Sequence, residues 1–327
     1  MIEFRNDQAP LSRRTFLAAS AAASAGALVS GVLTPRTVEA EVARTNDIDQ
    51  KWLVATQQGL YSGIPGAEWE LLGGYTVRLT SILRSPGRVV VGGGAGVWEV
   101  PAHGWWVQLH DETLTEALGL APLPGDPGVL VASAYGIATG RRDEIDAVRW
   151  SFHSDSLSPD DRFTSAVAVL GGHWIAATEQ GVLSSDGDHS QWHPSNLRGV
   201  AVRALTHLQG QLWAGSDGRG VWRSDDGQHW SAAGSGLDGV IVYDLAADNG
   251  VLLAATERGV YVGDGSGPWR HMGPDLRIDA IGAAGGTWIA GADPGGAWKS
   301  ADAGQSWHQV SGFPDRIAAI AAPESVR

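Results

Sequence analysis

The stretch Gln211 to Trp230, QLWAGSDGRGVWRSDDGQHW, reads as an apolar strand, a Gly-centred turn, a second apolar strand, an Asp/Gly turn and a closing Trp. Variants of that phrase recur from Trp52 to Trp307, and no other property of the chain restricts its fold as much. Such a unit cannot bury its apolar face alone, so its copies must stack against one another. Aligned on the apolar strand, seven copies begin at Trp52, Val89, Val129, His173, Gln211, Val251 and Thr287. They open WLVATQQGLY, VVVGGGAGVW, VLVASAYGIA, HWIAATEQGV, QLWAGSDGRGVW, VLLAATERGVY and TWIAGADPGGAW. The spacing is roughly 40 residues, the period of a four-stranded propeller blade. Between turn residues the runs alternate or are continuously apolar, and no helical 3.6 pattern of any length appears.

Each copy supplies a Trp seventeen to twenty-one positions after its start: Trp69, Trp106, Trp150, Trp192, Trp230, Trp269 and Trp307. The chain holds 15 Trp against 5 Tyr and 5 Phe, as expected of a residue used once or twice per repeat. Ser300, Asp302, Gly304 and Trp307 form a full S-x-D-x-G-x-x-W phrase. Asp225, Gly227 and Trp230 keep most of it, Asp264 with Trp269 keeps less, and Ser185-Asp186-Gly187 stands in stretched form before Trp192. The physical reading is mechanical. An Asp carboxylate accepts from backbone N–H groups just beyond it and fixes a hairpin turn, while Gly supplies positive φ. The Trp lies back on the hairpin and seals the joint between neighbouring sheets. These residues are structural before they are ligands.

A second phrase, short and rich in small residues, also recurs: Leu79–Ile82, Thr115–Leu118, Thr164–Val167, Arg203–Leu205, Tyr243–Leu245, Asp279–Ile281 and Ala318–Ile320. Small residues suit the crowded innermost strand around an axis. The first copy lacks this strand and the last ends on it, at Arg316 to Ala322, so the C-terminal strand is expected to pair into the sheet begun at Trp52. That arrangement hides open edges. The fold expected is all-β, a seven-bladed β-propeller of four-stranded blades with the ring closed by that pairing. Longer inserts at 110–127 and 140–161 are expected as loops, the second a charged surface loop on which a partner sits.

Residues 1–40 read as an address. Ser12-Arg13-Arg14-Thr15-Phe16-Leu17 is a twin-arginine motif, followed by a weakly apolar run, Ala18 to Leu33, and a small-x-small cleavage signature ending at Ala40. Cleavage after Ala40 leaves a single propeller domain over 41–327, which the twin-arginine (Tat) translocase exports folded to the periplasm or beyond; retention as an anchor is the other reading. Removing Arg5, Arg13, Arg14 and Arg36 with Glu3, Asp7 and Glu39 takes the net charge from −13 to −14. No basic face is evident, which sets nucleic acid aside. With no cysteine, disulfides, thiolate chemistry and Cys-ligated zinc are excluded. The histidines are scattered along the chain, and neither a metal site nor a cofactor is expected. Gly92-Gly93-Gly94-Ala95-Gly96 is a strand-connecting turn, because no helix follows to cradle a phosphate.

The Asp-boxes at this period resemble the BNR/Asp-box propeller superfamily over about Gln50 to Ala322. Seven short repeats in an exported chain are most similar to the photosystem II stability/assembly-factor-like propellers. That resemblance implies a non-catalytic scaffold that assists a membrane or envelope complex and binds its protein subunits. The superfamily also contains sialidases. Here the F-R-I-P phrase of sialidases is missing, and Arg78, Arg203, Arg277 and Arg316 near inner strands stand beside acidic Asp279, Asp315 and Glu116. The binding surface expected is one end of the ring, at Arg78, Arg203, Tyr243, Arg277 and Asp279, whose polar or bulky side chains interrupt the small-residue set. A glycoside hydrolase is the alternative, with Asp244 and Asp279 as the facing carboxylates. A third reading is an extracellular-glycan binder using exposed Trp such as Trp105 and Trp213.

Overall fold

The chain divides into two compact units, Met1–Arg44 and Thr45–Arg327. The computed structural model describes residues 48–73, 76–85, 87–101, 104–110, 114–125, 128–142, 147–313 and 316–324, all in the second unit. The expected export segment, with Arg13, Arg14 and Ala40, lies outside the described residues, as does Asp315.

The described residues form antiparallel sheets, with one short 3-10 turn at Pro159–Asp161. The first sheet joins β1 (Trp52–Thr56), β2 (Gly59–Gly63) and β3 (Glu70–Leu71) to β28 (Ile317–Ala321) from the far end of the chain. The second holds β4 (Leu79–Ser85), β5 (Arg88–Gly93), β6 (Gly96–Val100) and β7 (Val107–Gln108). The third holds β8 (Ala117–Pro122), β9 (Val129–Ser133), β10 (Gly136–Arg142) and β11 (Val148–Phe152). The fourth holds β12 (Thr164–Leu170), β13 (His173–Thr178), β14 (Gly181–Ser185) and β15 (Trp192–Arg198). An eight-stranded sheet follows. It contains β16 (Val202–Leu208), β17 (Gln211–Arg219), β18 (Val221–Ser224) and β19 (Ser231–Ala232), then β20 (Asp238–Asp248), β21 (Val251–Thr256), β22 (Gly259–Gly263) and β23 (Arg270–Gly273). Its two halves join where β17 and β20 pair, Asp217 opposite Ile241 and Arg219 opposite Asp238. The last sheet holds β24 (Ile278–Ala284), β25 (Thr287–Ala292), β26 (Gly296–Ser300) and β27 (His308–Val310).

The expected pairing of the C-terminal strand into the first sheet is present, Leu53 opposite Ala321 and Ala55 opposite Ala319. The first strand of each unit packs beside that of the next, β4 on β8, β8 on β12, β12 on β16, β16 on β20, β20 on β24, β24 on β28 and β28 on β4.

Why the second strands are apolar without alternation follows from their position. In β1 the residues Leu53 and Ala55 pack with Leu79, Val89 and Val91 of the second sheet. Trp52 and Val54 point the other way, onto Ala280, Ile289 and Ala297 of the last sheet. Successive side chains of a strand face opposite sides, so a strand covered on both sides must be apolar throughout.

A turn that the sequence pattern had not singled out recurs at the ends of these strands. The buried hydroxyls of Thr56, Ser133, Thr178 and Thr256 donate to the carbonyls of Gly59, Gly136, Gly181 and Gly259 at 2.8–3.1 Å. Each also accepts from the N–H two residues on, at Gln58, Tyr135, Gln180 and Arg258. One hydroxyl thus satisfies both a backbone donor and a backbone acceptor of the turn. The glycine is obligatory. At Gly259 φ is +111°, and a Cβ would sit 2.4 Å from the Pro274 carbonyl oxygen.

The repeated Trp forms the expected joints. Trp150, Trp192, Trp269 and Trp307 donate from Nε1 to the carbonyls of Leu109, His153, Ala233 and Met272, each in the preceding four-stranded unit, at 2.7–2.8 Å. Trp230 donates within its own turn, to the Gly227 carbonyl at 2.9 Å, and reaches its neighbour through Asn196, whose side chain bonds both its N–H and its carbonyl. The turn carboxylates work as reasoned at Asp302, which accepts from Ser300, the Ser306 N–H and the Ser306 hydroxyl, and at Asp264, which accepts from Ser266. Before Trp230 the turn carboxylate is Asp226, one residue beyond the expected Asp225. Asp226 accepts from the N–H groups of Gln228 and His229, whereas Asp225 accepts from the Gln211 side chain. The box there is one residue shorter, which shifts the working position.

Two loop expectations are corrected. The segment 140–161 contains the end of β10 and all of β11, which carries the repeat's own Trp150, and 110–127 contains β8. Charge in the first and Pro/Gly in the second masked strands that are ordinary members of the repeat.

Candidate functional site

Every first strand carries one irregularity in its ladder, and these irregularities build the site. In β4, Leu79 and Ser81 face Gly93 and Gly92, leaving Thr80 without an opposite number. The same count leaves Leu118 in β8, Ser165 in β12, Arg203 in β16, Tyr243 in β20, Asp279 in β24 and Ala318 in β28. A bulge bends the strand and re-aims the extra side chain. All seven bulged residues line a single cavity of about 300 Å³ between the first strands. Five of the seven are polar, and three of those, Arg203, Tyr243 and Asp279, come from consecutive units.

The charges at this mouth are matched to one another. Arg203 grips Asp217 with two hydrogen bonds of 2.6 Å and stands 3.8 Å from Glu179. Arg277 donates to both oxygens of Asp279, at 2.6 and 3.2 Å, and its guanidinium lies 4.5 Å over the Tyr243 ring. Arg316 adds a second cation, 3.7 Å from Asp279 and 3.4 Å from Asp293. The hydrogen bond to Asp217 raises the Arg203 pKa, that to Asp279 raises the Arg277 pKa, and burial raises that of Tyr243. Fork-shaped guanidinium–carboxylate pairs fix geometry as well as charge, so this rim is held rigid before anything binds.

Asp244 sits one residue beyond the Tyr243 bulge and also lines the cavity. Its oxygens accept from the N–H of Leu245 at 2.8 Å and, across to the next unit, from Ile281 at 2.9 Å. It touches the narrow cavity on one side and has protein packed around it on the others. Burial pushes its pKa up to about 6, against the pull of the two N–H groups. Further along β20, Asp248 makes a related staple to the N–H groups of Gly285 and Gly286 and to Trp288 Nε1.

The structure therefore brings together Arg203, Tyr243, Arg277 and Asp279 from the sequence-predicted surface. Arg78, one residue before β4, is exposed and outside the cavity lining. Of the two proposed carboxylates, Asp279 is bound by two guanidinium groups and Asp244 by two backbone donors. Three neighbours in this cluster escaped the sequence reading: Asp217, which pairs with Arg203, and Thr80 and Ser165, which line the cavity. Each small-residue strand begins with a bulge, and a one-residue irregularity leaves no periodic trace. Trp213 is a correction, because it is 3% exposed and packs in the core, whereas Trp105 is 75% exposed. An aromatic on the second strand of a unit is covered from both sides, which the local sequence does not reveal.

No family model matches the chain, and no curated protein matches it. Solved structures do. The extracellular domain of the hybrid two-component system BT4673 from B. thetaiotaomicron is 17% identical, with a TM-score of 0.62, over 76% of this chain and 36% of that one. A GH74 enzyme of Niastella koreensis is 14% identical, with a TM-score of 0.57, over 80% of this chain and 46% of that one. PorZ, a surface component of the type-IX secretion system of Porphyromonas gingivalis, is 14% identical, with a TM-score of 0.56, over 84% and 35%. The chain thus spans between a third and a half of the length of these structures. At such identities the likeness shows a β-propeller-like all-β fold.

Proposed function

We propose that this protein is an exported seven-bladed β-propeller that works as a non-catalytic binding scaffold. Its role is to assist the assembly or stability of an envelope protein complex, and its contact surface is the cavity mouth at Arg203, Tyr243, Arg277 and Asp279. The cyclic order of first-strand packing and the β28–β1 ladder support a closed ring of seven blades. The Asp turns and sealing Trp support reading the repeat as a BNR-type Asp-box, and the twin-arginine sequence supports Tat export. Extracellular and surface proteins among the structural neighbours are in keeping with that location.

The observation that carries the reading is the state of the rim. Its arginines are already paired with Asp217, Asp279 and Asp293, and the Arg277–Tyr243 stack is formed in advance. A preorganised, charge-matched rim around an aromatic suits recognition of a protein surface. A glycosidase acid needs a carboxyl free to give its proton to substrate, and Asp279 under two guanidinium groups is poorly suited to that. The test is capture of partners from crosslinked envelopes of the source organism with wild type and Tyr243→Ala. Loss of one reproducible partner complex in the variant, with an unchanged melting temperature, supports the assignment. Equal capture by both proteins refutes it.

A further inference from the structure

The rim and the cavity behind it differ in their electrostatics. At the rim each carboxylate faces a guanidinium: Asp217 faces Arg203, and Asp279 faces Arg277 and Arg316. Asp244, inside the lining, accepts from backbone N–H groups, and among the described residues no side-chain cation forms an ion pair with it. Each of its oxygens keeps a lone pair beyond the one bond it accepts. Around it run β4, β8, β12, β16, β24 and β28, each paired on one side only within its sheet, so that their other edges border the same space. An anion in a cavity of about 300 Å³, with acceptors nearby and its opposite charges committed elsewhere, is complementary to a small cation that brings its own donors.

We propose that this cavity binds a primary alkylammonium group, with Asp244 as its counter-ion and strand-edge carbonyls accepting its remaining N–H donors. The group arrives either on a free small amine or as a lysine side chain presented by a docked polypeptide. The inference does not depend on a protein seated on the rim. A neutral alcohol of the same length gains no charge pairing, and a quaternary ammonium offers no N–H, so both are excluded by chemistry rather than by size. Binding also requires the carboxylate form. With the Asp244 pKa raised to about 6 by burial, affinity is full at pH 7.5 and falls about tenfold by pH 5, where roughly one carboxyl in eleven is ionised.

The experiment is calorimetric titration of the full chain with n-butylamine, Nα-acetyl-lysine methylamide and n-butanol at pH 7.5 and pH 5. Both ammonium probes are expected to bind at pH 7.5 and to weaken about tenfold at pH 5, with n-butanol giving no heat. A lysine derivative at least tenfold tighter than butylamine identifies a chain-borne ligand, and comparable affinities identify a free amine. Asp244→Asn is expected to abolish both, with its melting curve checking the fold. On the wild type, the Asp244 carboxyl resonance supplies an independent readout, because its titration midpoint must fall when butylamine is added. Silence of both probes at pH 7.5, binding unaffected by pH, or binding retained in a folded Asp244→Asn variant overturns the proposal. Tyr243→Ala, which disturbs the rim and not the counter-ion, separates this site from partner docking.

Discussion

Asp248 is the residue whose removal the structure prices most sharply. It ends β20, is 8% exposed, and reaches across to the next unit. One oxygen accepts from Gly285 N–H at 2.9 Å, and the other accepts from Gly286 N–H at 2.8 Å and Trp288 Nε1 at 2.9 Å. Hydrogen bonds to a charged group contribute about 1.5–3 kcal/mol each. Three on one carboxylate are not additive, and water enters part of the space left behind, so Asp248→Ala is expected to cost about 3–5 kcal/mol. At about 2–4 °C per kcal/mol for a domain of this size, the melting temperature falls by roughly 6–20 °C. Asp248→Asn keeps one oxygen, which serves one side of the staple and turns an amide donor toward the other, for a loss of about 2–3 kcal/mol. Urea unfolding at pH 7, followed by Trp emission, measures both. An Asp248→Ala midpoint equivalent to less than about 1 kcal/mol, at unchanged m-value, would show that the joint between these units does not rest on the staple.

Other expectations follow from the same contacts. Thr178→Val and Thr256→Val each leave a buried glycine carbonyl, that of Gly181 or Gly259, without its hydroxyl donor and should lose about 1–3 kcal/mol in urea titration, whereas Thr→Ser should lose far less. Trp269 is 6% exposed and bonds Ala233; Trp269→Ala should cost about 3–5 kcal/mol, and Trp269→Phe only the lost hydrogen bond and a small cavity. The two kinds of aspartate oppose each other in pH. Asp302, held at about 2 by its bonds from Ser306 and Ser300, contributes stability above the ordinary 3.8 that is lost as pH falls through about 2. Asp244, raised to about 6, contributes most below 3.8 and loses that contribution as pH rises through 6. Relative to Asp244→Asn, the wild type should therefore lose up to about 3 kcal/mol between pH 4 and pH 7, measurable as a change in the difference between the two urea midpoints over that interval.

Much of the architecture was legible because it repeats. The second strands, starting at Trp52, Val129, His173, Gln211, Val251 and Thr287, begin where the alignment of copies puts them, and Trp150, Trp192, Trp269 and Trp307 bridge units as their spacing implied. What the sequence hid was non-periodic. A bulge shifts one residue out of register, so Thr80 and Ser165 were indistinguishable from their small neighbours while Arg203, Tyr243 and Asp279 stood out by size and charge. Asp217 joins the rim because β17 runs beyond its sheet to pair with β20, an extension that no local pattern encodes. Trp213 looked available on composition, but its burial comes from the adjoining unit. Asp226 replaced Asp225 because the turn had lost one residue, and hydrogen bonding, not motif spacing, decides which carboxylate faces the N–H groups.

The claim that the cavity mouth is the contact surface is tested most directly by photo-crosslinking from single positions. Benzoylphenylalanine replaces Tyr243 at the mouth in one protein and Ser266 in another. Ser266 follows β22 and, with antiparallel neighbours, lies at the opposite end of the strands. In living cells or intact envelopes, the Tyr243 probe should give one reproducible adduct with an envelope protein, competed by unlabelled wild type, and the Ser266 probe should not. An adduct formed from Ser266 and absent from Tyr243 would contradict the account and move the contact surface to the other face.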